Sequence, residues 1–141
     1  MPYYIDDLKP GMSDSFTKTV TERDVELFGE VSGDMNPVHF DETYARHTVF
    51  RGRIAHGMLS LSYLSTVLGM QMPGPGTIFM GASSRFKAPV RIGDTVVSTV
   101  TVRDVTAEKR RVVFDFVCKV GDTTVVDGEA LVMAPQRPKQ H

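Results

Sequence analysis

The chain has 141 residues, with 16 Lys and Arg against 17 Asp and Glu, for a formal net charge of −1. That length suits one domain, and the near-neutral balance leaves no basic footprint for nucleic acid or an anionic membrane surface. A single cysteine, Cys118, excludes a disulfide framework and a cysteine-based metal site, and fits a reducing, cytoplasmic setting.

Residues 1–20 carry Asp6, Asp7 and Lys9 and no apolar run, so nothing there reads as a signal peptide. Asp14 to Val20 is expected as a short strand. Thr21-Glu22-Arg23-Asp24 resembles a capping box with Asp in place of the usual Glu, and Val25, Phe28 and Val31 follow on one face, predicting a helix over 22–32. Gly33, Asn36 and Pro37 are turn residues, so the chain reverses there, and Asp41 to Arg46 reads as a short helix. Arg51-Gly52-Arg53 is loop.

From Ile54 to Ser84 there is no Asp, Glu, Lys or Arg. Its helical part, Gly57 to Met72, falls short of the roughly 20 residues a membrane span needs, includes Ser60, Ser62, Ser65 and Thr66, and is cut by Pro73. Apolar residues surround this helix instead of forming a stripe, which predicts burial inside the protein. The small residues would let a sheet approach closely. Beyond it the period changes to two: Val112, Phe114, Phe116 and Cys118 alternate with Arg111, Asp115 and Lys119. Further strands are expected over Ile78–Lys87, around Val96 to Val102, and over Thr124–Met133, with Gly121-Asp122 as a tight turn. Short turns between consecutive strands predict an antiparallel meander. The result is an α+β fold in which the sheet wraps over the helix, with a core spanning about 14–134 and a frayed tail from Pro135 to His141.

The segment richest in chemistry is Ser32-Gly33-Asp34-Met35-Asn36-Pro37-Val38-His39. Pro37 keeps Asp34 and His39 from sharing a helix face as a solvated pair. Two readings remain open from these residues. Asp34 caps a backbone turn beside a structural histidine, or the two meet in one pocket as acid and base. A metal site lacks an obvious third ligand, and no nucleophile-elbow pattern is present.

Phe28-x-x-Val31-Ser32-Gly33-Asp34-x-Asn36-Pro37-Val38-His39 with Ala45 resembles the signature of the MaoC-like, (R)-specific enoyl-CoA hydratases. Ile54-Ala55-His56-Gly57-Met58-Leu59 resembles that family's segment at the start of its central helix, and Arg85 to Val90 with Gly93-Asp94 resembles a further block. The resemblance runs from about Thr21 to Met133. It implies a single hot-dog domain, a curved antiparallel sheet around a central helix, paired into a homodimer. It implies reversible hydration of a trans-2-enoyl-CoA to an (R)-3-hydroxyacyl-CoA without metal or redox cofactor, with an acyl-CoA as partner and a place in polyhydroxyalkanoate or related acyl-CoA metabolism.

On that resemblance Asp34 and His39 are the catalytic pair, Asp34 as the main base on water and His39 as donor to C2, while the Gly57 N–H serves the thioester oxygen. Asn36 shapes the turn. His56 is read as structural. Ser65 either faces the pocket or is a small core residue. Leu68 and Met133 are walls of an acyl tunnel or ordinary core, and Arg85 and Lys87, of equal parity on a strand, are candidates for phosphate contacts. Lys109, Arg110 and Arg111 read as a solvated hairpin tip, and Cys118 as inert. The rival activities are a dehydratase acting on acyl carrier protein, a thioesterase on the same fold, a hydratase for branched or dicarboxylic enoyl-CoA, and a non-catalytic acyl-CoA-binding module.

Overall fold

A computed structural model describes residues 1–139. The strands are β1 (Ser13–Thr19), β2 (Ile78–Phe86), β3 (Thr95–Thr106), β4 (Arg111–Val120) and β5 (Thr123–Met133). They form one antiparallel sheet in the order β1-β3-β4-β5-β2. The helices are α1 (Glu22–Ser32), α2 (Pro37–Phe40), α3 (Glu42–Arg46) and α4 (Gly57–Thr66), the last continuing as a wider π turn over Val67–Gln71. This is the expected curved sheet around a central helix.

The sheet's inner face follows the alternation in the sequence. Val96, Val100, Val112, Phe114 and Cys118 are buried, while Arg103, Asp115 and Glu129 pair in an ion cluster on the outer face. Against that inner face α4 lays Leu59, Tyr63 and Leu64, each burial worth about 1.5–3 kcal/mol before chain entropy is counted. Cys118 is packed there with its thiol near Ser98 and Ser60, and burial pushes the thiol pKa up, which keeps it protonated and inert.

Several expectations need correction. Only β3, β4 and β5 form a meander; β2 lies at the far edge beside β5, not beside β3. Gly93-Asp94 do form a turn, with Asp94 N–H bonded to Arg91 O, but the link from β2 to β3 is not a short turn between neighbouring strands. The segment crosses the end of the sheet, with Lys87 N–H bonded to Val125 O at one end and Gly93 N–H to Val20 O at the other. The core begins earlier than expected, at Ile5 and Leu8, and runs to Ala134. Nor is the start of the tail frayed: Pro135 O accepts from Ile5 N–H at 2.8 Å, and Arg137 pairs with Asp7 at 2.6 Å. Its last two residues lie outside those described. Finally, α4 is not buried all round, since Met58 is 55% exposed and Met70, in the turn beyond it, 71%.

Strand β2 is exposed along nearly its whole length and is paired on one side only. At its inner neighbour β5, Gly128 sits so close that a Cβ there would lie 1.9 Å from Ser83 O. No helix among the described residues is long and apolar enough to cross a membrane.

Candidate active site

Two segments between β1 and β2 build the site. The first begins where α1 ends. At its start, Thr21 Oγ1 accepts from Asp24 N–H and the Asp24 carboxylate accepts from Thr21 N–H, the reciprocal box the sequence predicts. At its end Gly33 takes a left-handed φ of +78°, which lets the chain turn away. Ser32 Oγ then accepts from Asp34 N–H, the Asp34 carboxylate from Asn36 N–H, and Asn36 Oδ1 from Val38 N–H. Asn36 is therefore the N-cap of α2, with Pro37 in the first helical position, where a missing N–H costs nothing. The sequence reading missed this one-turn helix, because it took the proline only as a breaker. The turn leaves Asp34 exposed and drives His39 inward, to 8% exposure.

The second segment is the loop before α4. Arg91 donates to the carbonyls of Phe50, Gly52 and Arg53, bracing it from the β2–β3 crossing. Arg53 in turn donates through Nε to His39 O at 2.7 Å and pairs with Glu22 at 2.9 Å. The loop delivers His56 as N-cap and Gly57 as first residue of α4.

The two segments meet through the histidines. His39 Nδ1–H donates to Ile54 O at 2.8 Å, and His56 Nε2–H donates to the Asp34 carbonyl at 2.9 Å. A carbonyl only accepts, so these bonds fix both tautomers and leave His39 Nε2 and His56 Nδ1 as bare lone pairs when the rings are neutral. The rings stack, centroids 3.9 Å apart and planes 29° from parallel. Burial pushes the His39 pKa below its ordinary value. The bond to Ile54 O opposes this, His56 adds to the lowering, Asp34 opposes it, and Arg53 adds to it.

Asp34, His39 and His56 each bring a ligand atom within 4.8 Å of the others, so the structure supplies a third metal-ligating type that the sequence did not reveal. The geometry does not suit one ion. The stacked rings set their in-plane lone pairs side by side and do not direct them at one point.

Beside His56 lies a largely apolar cavity of about 310 Å³, bounded by residues that include Ile54, Gly57, Phe86 and Lys87; Asp34 and His39 do not line it. Gly57 N–H, first in α4, has no intrahelical acceptor and lies at the positive end of the helix dipole. The Phe86 ring presses on Gly57: a Cβ there would stand 2.8 Å from Phe86 Cδ1. The absent side chain thus makes room for that ring.

The other expected residues fare unequally. Lys87 borders the cavity, its ammonium paired with Asp127 at 2.7 Å. Arg85 does not border that cavity; it lines a separate depression with Arg103 and Glu129 and stands opposite Asp127 in the ladder. Ser65 is exposed on the outer side of α4, Leu68 is core at 1% exposure, and Met133 packs its sulfur 3.2 Å from Arg110 Nη2. None of these three borders the cavity. His56 was read as structural, and its ring is buried and bonded to a backbone carbonyl; the contacts of Arg53 and Phe86, whose partners lie far along the chain, were not read from the sequence.

The chain matches a family described as MaoC like domain over residues 8–125. It is 52% identical over 135 residues to an (R)-specific enoyl-CoA hydratase of Rhodospirillum rubrum, covering 96% of this chain and 94% of the relative. It is 42% identical over 134 residues to a 3-hydroxybutyryl-CoA dehydratase of Methylorubrum extorquens, covering 95% and 85%. Among solved structures, an unliganded R-hydratase of Pseudomonas aeruginosa superposes with a TM-score of 0.90 at 41% identity, covering 96% of this chain and 88% of that one.

Proposed function

The chain belongs to the MaoC-like family, and from that premise we propose that it is an (R)-specific enoyl-CoA hydratase, a hydro-lyase that interconverts trans-2-enoyl-CoA and (R)-3-hydroxyacyl-CoA. The observation that carries the reading is His39, its Nε2 left bare, clustered with the Asp34 carboxylate close in the fold to the Gly57 N–H that opens α4. Both curated relatives are named for coenzyme A thioesters, which favours that carrier over acyl carrier protein.

In the hydration direction one water sits between the Asp34 carboxylate and His39 Nε2. Its oxygen bonds to C3 as a proton passes to the pair. The C2–C3 π electrons move toward the thioester oxygen, whose growing charge the Gly57 N–H and the α4 dipole stabilise. The proton then returns to C2 and the carbonyl re-forms. The resting ring has its only N–H committed to Ile54 O, so His39 cannot begin as the donor. It receives the proton at Nε2 and hands it back, while the Asp34 carboxylate orients the water and stabilises the imidazolium. This departs from the expected division, in which Asp34 was the main base. Lys87 is the remaining candidate for a phosphate contact. In this reading the enzyme works in the cytoplasm, which its buried free thiol suits, and its (R)-product feeds polyester synthesis or a related acyl-CoA route.

Mixing the protein with crotonyl-CoA should collapse the enoyl-thioester absorbance and yield (R)-3-hydroxybutyryl-CoA. Release of free coenzyme A instead, or turnover of carrier-protein thioesters alone, would overturn the reading.

The lowered His39 pKa gives a signed pH dependence. Only the neutral ring accepts a proton at Nε2, so kcat/KM should fall on the acid side with a midpoint below 6.5. Unfolding restores the ordinary value, so below about 6.5 the unfolded chain takes up a proton that the folded one refuses. The contribution of this group to stability is full above that pH and declines as pH drops toward the lowered pKa. An acid limb centred above 6.5 would contradict the neutral ring.

The protein pairs with a second copy in this reading. Support comes from the half-paired β2 and the exposed Ile78, Phe79, Met80, Phe86 and Met58 near it or on α4. Sedimentation should give twice the 15.6 kDa of one chain, and a stable single-chain species would refute the pairing.

A further inference from the structure

We propose that His56 is a positioning residue for the reaction: its Nε2–H holds the Asp34 carbonyl, so that the Asp34 carboxylate is aimed at the water it shares with His39. The inference rests on the hydratase reading above and extends it to a group that does not itself touch the reacting atoms.

His56 is 2% exposed and joins all three functional groups. It is bonded to the Asp34 backbone at 2.9 Å, stacked on His39 at 3.9 Å between centroids, and covalently followed by Gly57. Phe28 at 4.8 Å and Phe40 at 5.7 Å enclose the same ring, so α1 and α2 both register against it. The segments carrying Asp34 and Gly57 approach from different parts of the chain, and this ring is a direct bond between them.

Packing alone does not call for histidine here. His56 Nδ1 is buried and has no partner, an uncompensated acceptor of the kind folded proteins avoid. A phenyl ring would fill the same space beside Phe28 and Phe40 and leave no such orphan. What a phenyl ring lacks is the Nε2–H, and in this structure that hydrogen has one use, the Asp34 carbonyl. The histidine is therefore explained by the bond that sets where Asp34 lies.

Two variants separate the bond from the ring. His56→Phe keeps the stack and drops the donor; His56→Gln keeps an N–H near the Nε2 position and drops the ring. With crotonyl-CoA, His56→Phe should lose about tenfold to a hundredfold in kcat, as small misplacements of reacting groups do, with KM little changed and Tm not lowered in proportion. His56→Gln should restore kcat to within about threefold of the parent. Parental kcat in His56→Phe, or a His56→Gln enzyme as slow as His56→Phe, would overturn the proposal. A folded parent enzyme without crotonyl-CoA hydration would instead remove the hydratase reading beneath it. If either variant fails to fold, imidazole nitrogen NMR of the parent decides. His56 protonated on Nε2 and His39 on Nδ1 agrees with the proposal, and the opposite His56 tautomer refutes it.

Discussion

Replacing Asp34 or His39 by Asn is expected to lower kcat for crotonyl-CoA about 10²–10⁴-fold while shifting Tm by no more than about a degree or two. The substitutions are chosen so that each removes proton chemistry and little else. In Asp34→Asn the side-chain carbonyl can still accept from Asn36 N–H, the one bond the carboxylate makes inside the turn. What disappears is the negative charge that orients water and stabilises the imidazolium. In His39→Asn the amide nitrogen replaces Nδ1 as donor to Ile54 O, and the Nε2 lone pair is lost. Because the two groups act on one water, the double variant should be little slower than the worse single one. Wild-type-like rates in both single variants, with folded protein, would sink the mechanism. A large fall in Tm matching the fall in rate would reduce the pair to structural residues.

Gly128→Ala should be the most damaging single methyl in the sheet, at about 3–5 kcal/mol. The new Cβ would lie 1.9 Å from Ser83 O and 2.9 Å from both Ser83 C and Ser84 Cα, so every obstructing atom is backbone or bonded directly to it. No rotamer relieves that. The ladder between β2 and β5 must open where Ser84 faces Gly128, close to Phe86 and its contact with Gly57. Urea unfolding should show the loss in midpoint, and what folded protein remains should have reduced activity because the cavity wall has moved. A midpoint within experimental error of the parent would show that the two strands are not held this closely in solution.

The strands were legible because burial on one face leaves a period-two record, as in Val112 to Cys118, and α1 was legible because Thr21 and Asp24 close its first turn locally. The neighbours of each strand were not. Pro89 and Gly93-Asp94 have hairpin composition, yet the bonds that decide their path go to Val20, Ala55 and Val125, which no local pattern announces. The same division holds at the site. Asp34 and His39 stand out through an unusual turn and a family-like motif, whereas the partner of His56 is a backbone carbonyl 22 positions earlier. Arg85 and Lys87 border different depressions, yet both meet Asp127, the first across the β2–β5 ladder and the second through an ion pair. Ser65 shows the limit of reading a helix by composition: its small side chain faces outward and is exposed among the described residues.

All groups assigned to proton transfer and thioester polarisation lie in the excursion between β1 and β2, whereas the five strands bond chiefly to one another. The catalyst and the sheet that serves as its wrapper are thus distinct parts of one short chain. Descendants can lengthen, bend or re-line the wrapper to suit bulkier acyl tails while their acid limb and stereochemistry stay as they were.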